Sequence, residues 1–238
     1  KFHEKNYSKK PLVTIITVVY NDEKCLEGTI LSVLNQSYKN FEYIVIDGGS
    51  TDKSLNIIKK YNDFINYWVS EKDFGIYHAM NKGCKLALGD GLIFLNSGDK
   101  FVGNVLNEKL QFPCLLPCKV KEKNGEIWDK KISNIRYGMP TSHQAMIFNN
   151  KKILYNLSYK ISSDYDFFIR HGSFVNFNSS SKGYVLYNNT GVSKTKKWQR
   201  DFETIVIIYK HFGLLTSFIF LTKQIIKMIY KMIGIKWH

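Results

Sequence analysis

The first hundred residues alternate between two patterns of apolar positions. Residues 12–19, 41–46, 67–69 and 92–95 are short, nearly continuous apolar runs rich in β-branched and aromatic side chains, typical of buried strands. The segments between them place apolar residues at helical spacing: Leu26, Ile30, Val33 and Leu34, then Leu55, Ile57 and Ile58, then several within residues 75–88. Strands that alternate with helices predict an α/β fold with a mostly parallel sheet.

The pattern loosens after about residue 100. Residues 113–117 and 119–131 predict loops and a hairpin that turns near Asn124-Gly125. Further predicted elements are short strands at 143–148 and 184–187, and a helix or turn with paired acids at 164–170.

The chain changes character again at about residue 202. Residues 212–222 are strongly apolar but number only 11, whereas a membrane-spanning helix needs about 20. Beyond them Lys223, Lys227 and Lys231 recur every four residues, with apolar residues on another side. This pattern predicts a basic amphipathic helix that lies in an anionic membrane surface or packs its apolar face on the domain.

Charge narrows the class of partner. The 238 residues include 34 Lys and Arg against 20 Asp and Glu, a net charge of +14. This balance favours an anionic partner: nucleic acid, anionic lipid or a phosphorylated substrate. A lysine-rich solvated surface is the alternative. No helix-turn-helix, zinc or RNA-recognition signature supports nucleic acid.

Location is predicted from the N-terminus and the cysteines. The first ten residues contain no apolar signal-peptide core, and the four cysteines are widely scattered. We therefore expect free thiols in a reducing cytosol.

Three acids follow strand ends in the first half. Asp47, Asp73 and Asp99 would all project from one edge of a parallel sheet, with Lys82 on the helix between two of them. Carboxylates bind a base, a ribose or a metal, and a lysine neutralises phosphate. Together these residues predict a nucleotide site.

Asp99 is the strongest single candidate for chemistry. It follows a buried strand, and Gly98 allows the tight turn that precedes it. We expect it to hold a divalent cation against a diphosphate. The alternative is ordinary turn chemistry, in which the glycines and Ser50, as a helix N-cap, only connect strand to helix.

These residues resemble glycosyltransferase family 2, whose fold is GT-A. The matching segments are TIITVVYND (residues 14–22), SVLNQSYKNFEYIVIDGGSTD (residues 32–52) and the stretch from GIYHAMNKG to FLNSGD (residues 75–99). The resemblance is close over residues 11–100 and looser over 140–200. It implies a domain over 1–201, with a nucleotide-sugar-binding half (11–100) and an acceptor-binding half (101–201), followed by the tail (202–238).

The resemblance also implies roles. Tyr20 and Asn21 would flank the nucleotide base and Asp47 would contact it, with Gly49, Ser50 and Asp52 in the turn beside it. Asp73, Lys82 and Ser97 would contact the donor, and Asp99 would bind Mn²⁺ or Mg²⁺ where the family has Asp-x-Asp. His78 stands where many related sequences carry an acid.

A second group of residues supplies the expected catalytic base. The family has a Glu-Asp pair where this chain has Ser163-Asp164, and the resemblance assigns the base to Asp164. Asp166 is the alternative; it would otherwise pair with Arg170 one helical turn later. His143 would hydrogen-bond the donor diphosphate or the acceptor, or be a structural residue.

The implied reaction is inverting transfer of one sugar from a nucleotide-diphosphate sugar, with UDP favoured by family habit. The expected acceptor is a polyprenyl-diphosphate-linked glycan in bacterial O-antigen, capsule or other surface-polysaccharide synthesis, at the inner face of the cell membrane. The alternatives are a catalytically silent nucleotide-sugar-binding protein and a basic nucleic-acid-binding protein.

Overall fold

The computed structural model describes residues 10–172, 176–177, 182–189 and 196–232. The strands are β1 (Val13–Val19), β2 (Phe41–Asp47), β3 (Tyr67–Ser70), β4 (Gly91–Phe94), β5 (Lys100–Asn104), β6 (Cys114–Leu115), β7 (Cys118–Lys121), β8 (Ile127–Asp129), β9 (Met146–Asn149), β10 (Asn176–Phe177) and β11 (Lys182–Asn188). The helices are α1 (Leu26–Leu34), α2 (Ser54–Lys60), α3 (Ile76–Leu86), α4 (Ser163–His171) and α5 (Lys197–Met232).

The main sheet has seven strands in the order β10-β6-β9-β4-β1-β2-β3. Strands β3, β2, β1 and β4 run parallel, whereas β9 pairs antiparallel with β4. Every residue of the central strand β1 is buried, which explains its continuous apolar pattern. The predicted mostly parallel α/β sheet is confirmed.

Helices cover both faces of this sheet. Leu26 and Ile30 of α1 pack with Ile58 of α2 in one apolar cluster. On the opposite face Met80 of α3 packs with Phe167 of α4 in a second cluster. The catalytic-base candidate on α4 is therefore fixed to the same face as the donor-contact candidates on α3.

A smaller sheet has the strand order β5-β11-β7-β8, and its strand β5 follows β4 in the chain. The predicted hairpin at Asn124-Gly125 is confirmed, because β7 and β8 pair antiparallel across it. Two sequence-based assignments are wrong. Residues 113–117 contain strand β6 rather than only loop, and His143–Ala145 forms a 3-10 turn before strand β9 begins at Met146.

The C-terminal helix begins at Lys197 and breaks at Gly213, whose φ of 81° and ψ of 176° are not helical. Its first half packs on the domain, since Ile207 and Ile208 are fully buried in a cluster with Tyr165 of α4. A boundary at residue 202 would cut this packed helix, so the division into a domain and a separate tail stays a prediction.

Much of the second half of α5 is exposed. The exposed apolar side chains beyond the kink are Leu214, Leu215, Phe218, Leu221, Ile225, Ile226, Met228, Ile229 and Met232. By length and composition alone, the helix Lys197–Tyr230 is apolar enough to cross a membrane. One such helix is weak evidence for a membrane span. The kink shows that the two halves follow different directions.

Candidate active site

The three predicted acids do lie beyond the carboxyl ends of parallel strands. Asp47 is the last residue of β2, Asp73 follows β3, and Asp99 follows β4. Since these strands are parallel, the acids share one edge of the sheet. Their environments differ strongly, and these differences decide what each can do.

Asp47 holds the turn that follows its own strand. Its carboxylate is fully buried and accepts hydrogen bonds from the Ser50 hydroxyl (2.5 Å), the Ser50 backbone N–H (3.0 Å) and the Ser70 hydroxyl (2.5 Å). In this conformation the carboxylate stabilises the turn after β2 and connects it to the end of β3. Its predicted contact with the base stays a prediction.

The turn after β2 is locked to the turn after β1. Asn21, at φ 49°, accepts a hydrogen bond from the Thr51 backbone N–H through Oδ1 (2.8 Å), and its own N–H donates to Ser50 Oγ (2.8 Å). Tyr20 is 64% exposed, beside Gly48. An exposed ring over a glycine offers an apolar surface on which a nucleotide base can stack.

Ser50 is not the N-cap of the following helix. Its hydroxyl is committed to Asp47, and α2 begins only at Ser54. Lys53 occupies the N-cap position without a side-chain cap, and Asp52 forms an Asx turn ahead of it: its carboxylate accepts from the Ser54 backbone N–H (2.9 Å) and from the Glu23 N–H (2.9 Å). A hydrogen bond between an aspartate side chain and the backbone N–H two residues later is a common alternative to a serine N-cap at such a turn.

Asp73 and Lys82 reach the same edge through α3 and the loop before it. Asp73 accepts from the Gly75 backbone N–H (2.8 Å), and a side chain at Gly48 would collide with its second oxygen. Lys82 forms an ion pair with Glu71 (2.8 Å), which lowers the pKa of that glutamate. A phosphate that approaches Lys82 therefore competes with Glu71 for the ammonium.

Helix α1 holds the turn that carries Asp99. The Thr29 hydroxyl donates to the Asp99 carbonyl (2.8 Å) and accepts from the Gly98 N–H (3.0 Å). Ser97 donates to Asp22 (2.6 Å), so the residue before the glycine is also fixed. Gly98 has φ 95°, which a residue with a side chain rarely adopts.

The Asp99 carboxyl is almost fully buried, with 3% of the residue exposed. One of its oxygens accepts a hydrogen bond from the Asn188 backbone N–H of β11 (2.8 Å). Burial raises the pKa of this carboxyl to about 8, although hydrogen bonds from Asn188 and Gln144 act in the opposite direction. The group therefore joins the two sheets as a neutral carboxylic acid near pH 7.

The catalytic-base candidate Asp164 lies in the first turn of α4 with its side chain 21% exposed. Its Oδ1 accepts from the Tyr165 backbone N–H (2.9 Å) and lies 3.3 Å from the Tyr77 hydroxyl of α3. Its Oδ2 lies 3.4 Å from His143 Nδ1. The structure thus brings together Asp164 and His143, which are far apart in sequence.

Asp166, the alternative base, has a structural role. It is fully buried and binds both Arg170 Nε (2.7 Å) and His211 Nε2 of α5 (2.9 Å). The predicted pairing with Arg170 is confirmed. With no exposed oxygen, Asp166 cannot reach a substrate hydroxyl.

Sequence reasoning missed Gln144. Its Oε1 is among the buried side-chain atoms that have no hydrogen-bond partner in the described part of the chain, as are Asn96 Oδ1 and one ring nitrogen of each histidine already named from the sequence, His78 Nδ1 and His143 Nε2. Buried polar atoms normally have partners, so these atoms are available to a polar ligand. Tyr77 was missed as well, and no sequence signal connects it to Asp164.

Comparisons with known proteins identify the family. A family model described as "Glycosyl transferase family 2" matches residues 14–108. An uncharacterised glycosyltransferase of Mycobacterium tuberculosis is 32% identical over 188 residues, covering 67% of this chain and 68% of that protein. The chain belongs to glycosyltransferase family 2. The resemblance expected from the sequence is confirmed.

Two further matches bear on function and fold. Bacillus subtilis TuaG, a glycosyltransferase provisionally assigned to teichuronic acid biosynthesis, is 37% identical over 106 residues, 43% of this chain and 42% of TuaG. The solved structure of S. aureus TarS residues 1–349 in complex with UDP aligns with TM-score 0.64 and 21% identity. The alignment covers 84% of this chain and 66% of the TarS chain, and at that identity it shows the GT-A fold alone.

Family members of this fold commonly use a divalent metal, but the residues present do not fit one well. Mg²⁺ and Mn²⁺ prefer ionised oxygen ligands. Asp99 is buried with one oxygen taken, and the described residues hold no cluster of three or more His, Cys, Asp or Glu that could bind an ion. The predicted metal role of Asp99 stays a prediction that this conformation does not favour.

Proposed function

We propose that this protein is an inverting glycosyltransferase that moves one sugar from a nucleotide-diphosphate sugar, UDP-linked, to a hydroxyl of a glycan acceptor. The observation that carries the proposal is the position of Asp164. Its carboxylate is partly exposed at the same sheet edge as the nucleotide-site candidates, with one oxygen fixed and the other facing the region of unpartnered polar atoms.

The two oxygens of Asp164 have different tasks. Oδ1 is held by the Tyr165 N–H (2.9 Å); the Tyr77 hydroxyl, which lies 3.3 Å from Oδ1, donates its proton to the Ile161 carbonyl oxygen just before α4. Oδ2 is left to accept a proton. A carboxylate held in this way is suited to act as a general base at neutral pH.

The reaction follows as a single displacement. Asp164 Oδ2 takes the proton from the acceptor hydroxyl while that oxygen forms a bond to the anomeric carbon. The bond between the anomeric carbon and the diphosphate oxygen breaks on the opposite face, and the nucleoside diphosphate leaves with the bonding electrons. Attack from the opposite face inverts the anomeric configuration.

The donor would lie along the edge from Tyr20 to the 96–99 turn. Tyr20 offers an exposed face for the base, and Asp73 and Lys82 border the same edge. Solved structures with this fold bind nucleotide-sugar donors or their nucleotides, UDP in TarS and GDP-mannose in a mannosyltransferase of Pyrobaculum calidifontis, which supports a nucleotide-sugar donor here.

We further propose that the acceptor is a lipid-linked glycan of the bacterial surface and that α5 holds the enzyme on the inner membrane face. TuaG's assignment supports the glycan class. The exposed apolar side chains beyond Gly213, including Leu214 and Phe218, support the membrane contact. This contact is tested by flotation of the full chain with vesicles that contain anionic lipid, against the variants Leu214→Glu and Phe218→Glu. Equal flotation of all three proteins would refute it.

The donor assignment is tested by thermal unfolding with UDP, GDP or dTDP, each with and without Mn²⁺. A diphosphate at about 100 times its Kd stabilises the fold by about 2.7 kcal/mol, so a true ligand is easily detected. We expect UDP to give the largest shift. Stabilisation by none of the three would refute the donor site, and binding without turnover on any acceptor would favour the catalytically silent binder.

A further inference from the structure

His143 is buried next to the proposed base. Its side chain is 12% exposed, and its ring lies edge-on to Phe94 at 6.5 Å between centroids. The 3-10 turn His143–Ala145, which lies directly before β9, contains its backbone. The imidazole is thus held in one place between the core and the site.

The two ring nitrogens have different surroundings. Nδ1 lies 3.4 Å from Asp164 Oδ2 and faces that oxygen. Nε2 is buried and, in the described part of the chain, has no hydrogen-bond partner. A neutral imidazole carries one proton, so the nitrogen that donates fixes the role of the other.

We infer that His143 is a positioning residue: its Nδ1–H holds Oδ2 of Asp164, and its Nε2 accepts a hydrogen bond from a hydroxyl of the transferred sugar. The carboxylate next to Nδ1 favours the proton on that nitrogen. Nε2 is then left as an acceptor, and a sugar hydroxyl is the donor that the proposed reaction brings there. The inference rests on the proposed function only for the identity of that hydroxyl.

The geometry makes His143 a link between base and donor. Asp164 is held on one oxygen by the backbone of the first turn of α4, and its other oxygen faces the turn that precedes β9. A donor that bonds to Nε2 would therefore secure the same ring that aligns the base. Correct sugar binding and correct base orientation become coupled through one imidazole.

Two substitutions separate the two nitrogens. His143→Asn places an amide N–H near the Nδ1 position and loses the group at Nε2. His143→Gln reaches the Nε2 position with an amide oxygen and loses Nδ1. The probe is release of nucleoside diphosphate from UDP-GlcNAc, UDP-glucose, UDP-galactose and GDP-mannose, with water as the acceptor.

With the donor that wild type turns over, we expect one variant to change mainly KM and the other to change mainly kcat. His143→Asn should raise KM about 10-fold, equivalent to about 1.4 kcal/mol of lost binding, and change kcat little. His143→Gln should keep KM and lower kcat about 100-fold, since misplacing a reacting group by about 1 Å has that effect. The same changes in KM and kcat in both variants would overturn the inference.

A spectroscopic test needs no donor. Long-range ¹H–¹⁵N spectra at alkaline pH, where imidazoles are neutral, report which nitrogen carries the proton. His171 is an internal reference, since its Nδ1 lies 2.9 Å from the Phe167 carbonyl oxygen, which can only accept. We expect His143 also to be the Nδ1–H form in wild type, and to change to the Nε2–H form in Asp164→Ala.

The outcomes are distinguishable from failure of the proposed function. An Nε2–H form of His143 in wild type, or a spectrum that Asp164→Ala leaves unchanged, overturns the positioning role whether or not the protein transfers sugar. If the tautomer is as expected but wild type releases no diphosphate from any of the four donors, the pairing with Asp164 is retained and the assignment of Nε2 to a sugar hydroxyl is overturned together with the proposed function.

Discussion

Asp99 gives the sharpest test of the physical reasoning, because its burial and its predicted metal role require different protonation states. An acid whose pKa is raised in the fold contributes stability below its unfolded pKa and loses it as pH rises through the folded value. With a folded pKa of about 8 and an ordinary value of 3.8, this loss falls between about pH 4 and pH 8.

The substitution Asp99→Asn removes this titration and preserves the shape of the side chain. One pKa unit corresponds to about 1.4 kcal/mol, so wild type should lose about 2–3 kcal/mol relative to the variant between about pH 5 and pH 7. His171 changes stability in the opposite direction over part of this range, because burial lowers its pKa to about 4. That contribution is present in both proteins and cancels in the difference.

The assay is urea unfolding of wild type, Asp99→Asn and the exposed control Asp63→Asn, each from about pH 5 to pH 7.5. Asp63→Asn controls for the loss of one exposed carboxylate. A difference between wild type and Asp99→Asn that does not change with pH would show that burial does not raise the pKa of Asp99. It would mean that Asp99 is ionised in the fold, the state that a metal ligand requires, and the same titration with Mn²⁺ and UDP would then show stabilisation of wild type only.

Two further substitutions test how the site is held. Glu203→Gln should lower the free energy of unfolding by about 1–3 kcal/mol, because Glu203 accepts hydrogen bonds from the three successive backbone N–H groups of residues 160–162 just before α4. The control Asp201→Asn, on the same helix, should change the free energy of unfolding by less than about 1 kcal/mol. Equal effects of the two substitutions in thermal unfolding would contradict this. Gly49→Ala should destabilise more than Gly125→Ala: the two glycines have φ of 82° and 86°, but only at Gly49 would the new methyl meet backbone, 3.2 Å from Lys72 N. Equal unfolding free energies for the two alanine variants would show that this contact is relieved without cost.

The first half of the fold could be predicted because its local patterns are unambiguous. Residues 12–19 form a nearly continuous run of apolar and β-branched residues, interrupted only by Thr14 and Thr17, which is typical of a strand covered on both faces, and β1 lies at that position. The order of strand and helix then placed Asp47, Asp73 and Asp99 on one edge. Strand β6 could not be predicted, because a strand of two residues is too short to show a periodic pattern and its pairing with β9 is a contact between distant parts of the chain.

The roles within the site were harder to predict than its location. Ser50 looked like a helix N-cap, but its hydroxyl donates to the neighbouring buried Asp47, and α2 begins only after an Asx turn formed by Asp52, with Lys53 at the N-cap position. The surroundings of Asp99 depend on Asn188, which pairing of β11 with β5 brings close from the far end of the chain. Such contacts between distant segments decide protonation and exposure, and no local pattern contains them.

The central claim is that Asp164 removes the proton from the acceptor in a sugar transfer. It is tested most directly by measuring diphosphate release and donor Kd for wild type and Asp164→Asn with the donor that wild type turns over. We expect turnover to fall by at least about 100-fold, the lower range for loss of a general base, while donor affinity stays within a few-fold. Turnover that survives in Asp164→Asn, or equal loss of turnover and donor affinity, would contradict it.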